Sequence, residues 1–234
     1  MIDAKTIRAI TFDAGGTLLF PHPNVGSIYA EILHQHQIPL CPTALEEAFL
    51  REWKTHLAQP KKDVSHDAEK AWWRHVVGAT LGTFGHPPPA DSLFEDLWEA
   101  FALPQRWRLR EGTIEVLQTL RERGYQVAIL SNWDHRLRVL LERMNLLGHF
   151  DELFISSEVG YEKPDPRIFQ KVTERLHLPP QALLHIGDSR HHDADAARAA
   201  GWQGLLLANS CTQFQNTEGL TELTDLLLLL PAAK

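Results

Sequence analysis

Asp13 stands at the end of a short apolar run, Ile7 to Phe12, and two glycines and a threonine follow it at once in Asp13-Ala-Gly15-Gly16-Thr17. A buried strand that ends this way delivers a carboxylate to the edge of a sheet, where the backbone turns sharply. Three further segments end in polar groups: Ser131-Asn132 after Gln126 to Leu130, the loop carrying Lys163, and Asp188 in Gly187-Asp188-Ser189. Parallel strands share one direction, so their C-terminal ends meet along one edge, the usual ligand side of an open α/β sheet. A nucleophilic carboxylate, a hydroxyl, an ammonium and a second carboxylate gathered there suit phosphoryl transfer through a covalent acyl phosphate. Asp13 is the expected nucleophile, and Mg²⁺ held by Asp13 and Asp188 is the expected ion. The ligands are hard oxygens, and no Cys/His set competes for a softer metal.

The elements that must position these groups alternate. After Trp107 the pattern reads as a helix from Thr113 to Arg123 closed by Gly124, a strand from Gln126 to Ser131, and a helix from Asp134 to Asn145. Strand Phe150 to Ile155 follows, then a helix from Arg167 to Leu176 opened by Asp165-Pro166, and strand Ala182 to Asp188. A helix from His192 to Ala200 and a strand from Trp202 to Leu207 complete the series. This β-α-β-α order implies a Rossmann-like parallel sheet flanked by helices, an α/β fold. Between the first strand and the rest lies a run of helical patterns, about Val25 to Ala102. It contains Trp53, Trp72, Trp73 and Trp98 and two segments of capping-box form, Thr43-Ala-Leu-Glu46 and Ser92-Leu-Phe-Glu95. The helical spacing of Phe49, Trp53 and Leu57 points to a small bundle with its own core. The expected organisation is residues 1–20 plus 107–234 as the α/β core and 21–106 as an inserted all-α domain.

Composition narrows the partners. Of 234 residues, 44% are hydrophobic and 23% charged, a balance typical of a soluble globular chain with material for a core. A net charge of -7 argues against nucleic acid and anionic membrane as partners. The two cysteines, Cys41 and Cys211, have no metal-like spacing, and the first residues have no apolar signal core, so a cytoplasmic location is expected. The run Leu226 to Leu230 is too short to span a bilayer and reads as the last apolar helix face, docked on the core.

Four segments together resemble the motifs of the haloacid dehalogenase (HAD) superfamily, in the subfamily with a helical cap inserted after the first motif. Phe12-Asp13-Ala-Gly-Gly-Thr17-Leu resembles motif I, and Leu130-Ser131-Asn132 motif II. Glu162-Lys163-Pro164-Asp165-Pro166 resembles motif III, and Ile186-Gly187-Asp188-Ser189 with Asp193 motif IV. Trp72-Trp73 and Ser131-Asn132-Trp133-Asp134 resemble the branch that includes animal HAD-like domain-containing proteins.

The resemblance implies Asp13 as nucleophile and metal ligand, the carbonyl of Gly15 as a second ligand and Asp188 as the metal carboxylate. It implies Thr17, Ser131 and Asn132 as phosphate-binding groups, Lys163 as the charge-stabilising lysine and Asp193 as a supporting carboxylate. The departure is at Gly15, where most HAD phosphatases have a second aspartate as general acid and base. Its loss costs about 10²–10⁴ in rate. Good leaving groups, an acid-base borrowed from the cap with His22 as the candidate, or a weakly active or non-catalytic relative are the readings open.

A small phosphorylated metabolite is the expected substrate and a monomer or homodimer the expected state. A 2-haloacid dehalogenase is disfavoured by Asp188. A phosphonate hydrolase needs a Schiff-base lysine, for which Lys54 and Lys70 are the choices. His191-His192-Asp193-Ala-Asp195 invites a metal reading, but adjacent helical histidines diverge.

Overall fold

The computed structural model describes residues 2–59, 61, 63–208 and 219–232. In chain order the elements are β1 (Ala9–Phe12), β2 (Leu19–Pro21), α1 (Val25–Gln35), α2 (Pro42–Leu57), α3 (His66–Gly82), α4 (Asp91–Ala100) and β3 (Trp107–Leu109). They continue with α5 (Thr113–Glu122), β4 (Gln126–Ser131), α6 (Arg136–Arg143), β5 (Glu152–Ile155), α7 (Ser156–Val159) and α8 (Pro166–Leu176). β6 (Leu183–Gly187), α9 (Asp195–Ala199), β7 (Gln203–Leu207), β8 (Gly219–Leu220) and α10 (Leu226–Leu229) complete the series. The chain divides into two compact units, one of residues 1–20 and 109–234 and the other of residues 21–108.

The first unit holds a six-stranded sheet in the order β5-β4-β1-β6-β7-β8. Every pairing in it is parallel. β1 is central, with Phe12 level with Ile129 of β4 on one side and Ile186 of β6 on the other. All four residues of β1 are buried, as a strand with helices on both faces requires. Phe169, Ile168 and Val172 of α8 pack with Leu130, Leu183 and Trp202, each full burial contributing about 1.5–3 kcal/mol. Asp165 caps α8 by accepting the Arg167 N–H at 2.9 Å, with Pro166 in the first turn, as the sequence implies.

The second unit is helical. Ile28, Leu33, Leu45, Phe49, Phe94, Leu97 and Trp98 form its buried centre, with Trp53, Trp72 and Trp73 packed around it. Both expected capping boxes fail. α2 begins at Pro42 with Cys41, two residues before Thr43, at the cap position, and Glu46 instead accepts the Gly26 N–H at 2.5 Å. A Cβ on Gly26 would strike the Pro42 carbonyl, so only glycine lets α1 and α2 approach this closely. α4 begins at Asp91 after Ala90, without a side-chain cap, and Glu95 instead accepts from Lys70 Nζ at 2.7 Å. Tertiary partners outcompeted local caps for both glutamates.

Among the described residues three short strands, β2, β3 and β8, escaped the sequence pattern. β2 and β3 pair as a separate two-stranded sheet, each too short to show a period. The Leu226 to Leu230 run docks in part: Leu226 and Leu230 are buried while Leu228 is 86% exposed. Cys211 lies outside the described residues, and Cys41 is exposed. Among the described residues no helix is long and apolar enough to cross a membrane.

Candidate active site

Asp13 follows β1 directly, and its N–H continues the ladder by donating to the Ile186 carbonyl at 2.9 Å. Its side chain is buried, and Oδ1 accepts from Ser131 Oγ and from Lys163 Nζ, both at 2.9 Å. Ser131 arrives as the last residue of β4, the strand beside β1. The Thr17 hydroxyl lies 3.5 Å from Asp13 Oδ2 and 3.5 Å from Asp188 Oδ1. Asp188 follows β6, the strand on the other side of β1. The turn after Asp13 depends on Gly16, at φ +79°: a Cβ there would sit 2.5 Å from Asp188 Oδ2.

Lys163 is almost fully buried and donates to Asp13 Oδ1 at 2.9 Å, the Leu130 carbonyl at 2.9 Å and Asp193 Oδ1 at 2.6 Å. Those three bonds exhaust the ammonium's donors. Burial works against its charge, but Asp13 and Asp193 together outweigh the penalty and raise its pKa. Asn132 braces the same loop: its amide donates to the Lys163 carbonyl and accepts the Lys163 N–H, both at 2.7 Å. That pairing makes Asn132 a positioning group for the Lys163 loop.

Asp193 reaches Lys163 through a wide five-residue π turn, Arg190–Ala194, where a regular helix was expected from His192. Asp193 Oδ2 accepts the Ser189 N–H at 2.9 Å, leaving Oδ1 for Lys163. Burial opposes its charge, but Lys163 and His185 hold its carboxyl well below the usual range. His192 Nδ1 lies 3.1 Å from Ser189 Oγ, and neither His191 nor His192 belongs to the acidic cluster.

Sequence reasoning missed three side chains here. His185, in the middle of β6, is fully buried, with Nδ1 2.8 Å from Thr11 Oγ1 and Nε2 3.0 Å from Asp193 Oδ1. Burial, and after it Lys163, lowers its pKa, so the ring is neutral. An ionised Asp193 accepts only, which assigns the proton to Nε2 and makes Nδ1 an acceptor for the Thr11 hydroxyl. The available signal was one polar residue inside the apolar run Leu183-Leu-His-Ile186. Trp133 is the second: its Cζ3 lies 3.2 Å from where a Cβ on Gly15 would be built. The third, Arg110, donates from Nε to the Thr17 carbonyl at 2.5 Å and from Nη2 to the Gly16 carbonyl at 3.2 Å.

Oxygens of Asp13, Asp188 and Asp193 lie within 4.8 Å of one another. Three carboxylates face one ammonium, which leaves two negative charges to be balanced. The strain is visible at Asp188, where burial, Asp13 and Asp193 push the carboxyl up to about 7. One main-chain oxygen is also to spare: among the described residues no hydrogen bond reaches the Gly15 carbonyl, while those of Ala14 and Gly16 to Leu19 all accept. Two carboxylates, a free carbonyl and a double negative charge fit a hard divalent cation such as Mg²⁺.

This constellation has a family. The model of the haloacid dehalogenase-like hydrolases matches residues 7–201. The chain belongs to these hydrolases. A HAD relative, haloacid dehalogenase-like hydrolase domain-containing protein 3 of Homo sapiens, is 32% identical over 205 residues, 86% of this chain and 82% of that protein. A phosphoglycolate phosphatase of Shigella boydii is 28% identical over 209 residues, 84% of this chain and 79% of that protein. The magnesium-bound structure of the HAD-hydrolase YfnB from Bacillus subtilis superposes with a TM-score of 0.77. It covers 96% of this chain and 98% of its own, and at 18% identity the likeness establishes a shared fold. The α/β HAD fold is thus common to all of them, with this chain carrying Gly15 and Trp133 in its first and second motif segments.

Proposed function

We propose that this HAD hydrolase is a Mg²⁺-dependent phosphatase acting on a small phosphorylated metabolite through an aspartyl-phosphate on Asp13. The observation that carries the reading is the contact set of Asp13: Ser131, Lys163 and Thr17 converge on one carboxylate at the edge of the sheet.

When bound, Mg²⁺ would be held by Asp13, Asp188 and the Gly15 carbonyl, and would neutralise charge on the phosphoryl group. Ser131 and Lys163 fix the Asp13 carboxylate through Oδ1, and an arriving phosphoryl oxygen can share both donors. A carboxylate oxygen of Asp13 bonds to phosphorus as the bond from phosphorus to the substrate oxygen breaks, and that oxygen leaves with the bonding pair as an alkoxide, which takes its proton from solvent. Water then attacks phosphorus, the bond to Asp13 breaks, the water proton passes to the departing phosphate, and the carboxylate is restored. Lys163 keeps one positive charge beside Asp13 throughout, and Asp193 with His185 keeps Lys163 in place.

The second reading, a slow or non-catalytic member that binds phosphorylated ligands, is favoured by one observation. The indole of Trp133 packs against Gly15, so the loop offers no proton to the leaving oxygen there. His22 opens the helical unit; Lys70 is paired with Glu95 and Lys54 is exposed, so neither lysine has the buried, unpaired setting of a Schiff-base amine.

A panel of alkyl, aryl and acyl phosphates and 2-haloacids, each with Mg²⁺ or EDTA, separates the readings. Metal-dependent phosphate release that vanishes in Asp13→Asn is the expected result. No turnover by a folded Mg²⁺ complex supports the second reading, and metal-independent halide release refutes both.

A further inference from the structure

The loop after Asp13 carries six consecutive carbonyls, from Ala14 to Leu19, any of which is a hard oxygen that a cation could recruit. The Ala14 carbonyl accepts from the Leu18 and Leu19 N–H groups at 2.9 and 2.8 Å, and the Leu19 carbonyl accepts from Gly16 N–H at 2.9 Å. Three of the others are all taken by one residue. Arg110 donates to the Leu18 carbonyl through its own N–H at 2.8 Å, to Thr17 through Nε and to Gly16 through Nη2. Its guanidinium is partly buried and lies 4.9 Å from the centre of the Phe20 ring, which holds one flank of the fork. Within this loop, and among the described residues, only Gly15 keeps an uncommitted carbonyl.

We propose that Arg110 is a positioning residue for the cation: by claiming the carbonyls of Gly16, Thr17 and Leu18, it leaves that of Gly15 as the single main-chain oxygen of this loop free to ligate. The proposal rests on the reading of Asp13 and Asp188 as a Mg²⁺ site. The chemistry favours a rigid clamp, since Mg²⁺ demands near-octahedral geometry at short distances and tolerates misplaced ligands poorly, whereas Ca²⁺ accepts more ligands in looser arrangements. Outer groups that orient ligands typically change metal affinity by about 10–100-fold when removed.

The charge of Arg110 acts in the opposite sense. A cation near Asp188 repels Mg²⁺, so simple loss of charge would tighten binding. The two effects separate in Arg110→Lys, which keeps the charge and loses the planar fork.

Titration of the full chain with MgCl₂ and with CaCl₂ by calorimetry tests the clamp without any assay of turnover. The wild type should bind one Mg²⁺. Arg110→Lys should raise the Mg²⁺ Kd about tenfold and the Ca²⁺ Kd by much less, with circular dichroism unchanged in EDTA. Arg110→Gln should weaken Mg²⁺ as well. If the Arg110 variants fold poorly, Phe20→Leu frees one flank of the guanidinium and should lower the Mg²⁺ over Ca²⁺ preference in the same direction by a smaller factor. Unchanged Mg²⁺ affinity in Arg110→Lys with tighter binding in Arg110→Gln leaves charge as the only effect and overturns the clamp. A wild type that binds no Mg²⁺ overturns the cation reading of the site and the clamp with it; a binding wild type with indifferent variants overturns the clamp alone.

Discussion

Asp188→Asn isolates the group on which the electrostatic argument for a cation depends. Burial, Asp13 and Asp193 lift the Asp188 carboxyl from 3.8 to about 7. Between those values the folded chain holds a proton that the unfolded chain has released, so in EDTA the wild type loses stability as pH rises through this window. At 1.36 kcal/mol per pKa unit, a shift of about three units corresponds to an upper figure of about 4 kcal/mol. The amide of the variant does not titrate, so the stability difference between wild type and variant is the readout.

His185 and His192, whose pKa values burial lowers, titrate in an overlapping range with the opposite slope. They are present in both proteins and largely cancel in the difference. Urea unfolding in EDTA from about pH 4 to pH 8 should show the wild type losing up to about 4 kcal/mol relative to Asp188→Asn. Mg²⁺ at about 100 times its Kd should then return about 2.7 kcal/mol to the wild type above pH 7 and little to the variant. A difference that stays flat across the range, or equal stabilisation of both proteins by Mg²⁺, refutes the account of an overcharged site waiting for a cation.

Gly15→Asp alone should leave the hydrolysis of alkyl phosphates within about twofold of wild type, because its Cβ meets the Trp133 ring at 3.2 Å. In a Trp133→Leu background the same change should raise that rate, by up to about 10²-fold, if an acid at this position is what the loop lacks; phosphate release under saturating Mg²⁺ reads both. His185→Leu removes the donor to Asp193 Oδ1 and leaves the Thr11 hydroxyl only the long contact to the Leu184 carbonyl at 3.4 Å, which should cost about 1–3 kcal/mol in urea unfolding. His185→Gln, which retains an N–H of similar reach, should recover at least half of that; no recovery would assign the loss to packing.

What the sequence made legible was the set of groups that the backbone pattern itself delivers. An apolar run ending in a polar residue marks a strand and its exit together, and parallel pairing then brings the exits to one edge. Asp13, Ser131 and Asp188 were readable for that reason, since β4, β1 and β6 lie side by side. The Lys163 loop was readable as a further polar segment and Asp193 followed from the motif resemblance, and the structure adds why they meet: the π turn points Asp193 inward, and the Asn132 amide pins the Lys163 loop.

The side chains that escaped act across long sequence separations on groups that carry no sequence signature. Arg110 grips main-chain carbonyls more than ninety residues away. A carbonyl is the same at every position, so nothing in the order of residues announces that contact. Trp133 fills a space defined by what Gly15 lacks, and an absence has no neighbours to count until the chain is folded. His185 was visible as a polar interruption in β6, but its meaning lies in Thr11 on one side and Asp193 on the other. The failed caps at Thr43 and Ser92 show the same limit from the opposite direction. A local pattern was present, and Glu46 and Glu95 found stronger partners, in Gly26 and Lys70, that only the fold supplies. The first motif therefore marks the carboxylate proposed as nucleophile, while the groups proposed to govern its turnover are written in tertiary contacts around Gly15: an indole where an acid would stand, and an arginine that occupies the neighbouring carbonyls.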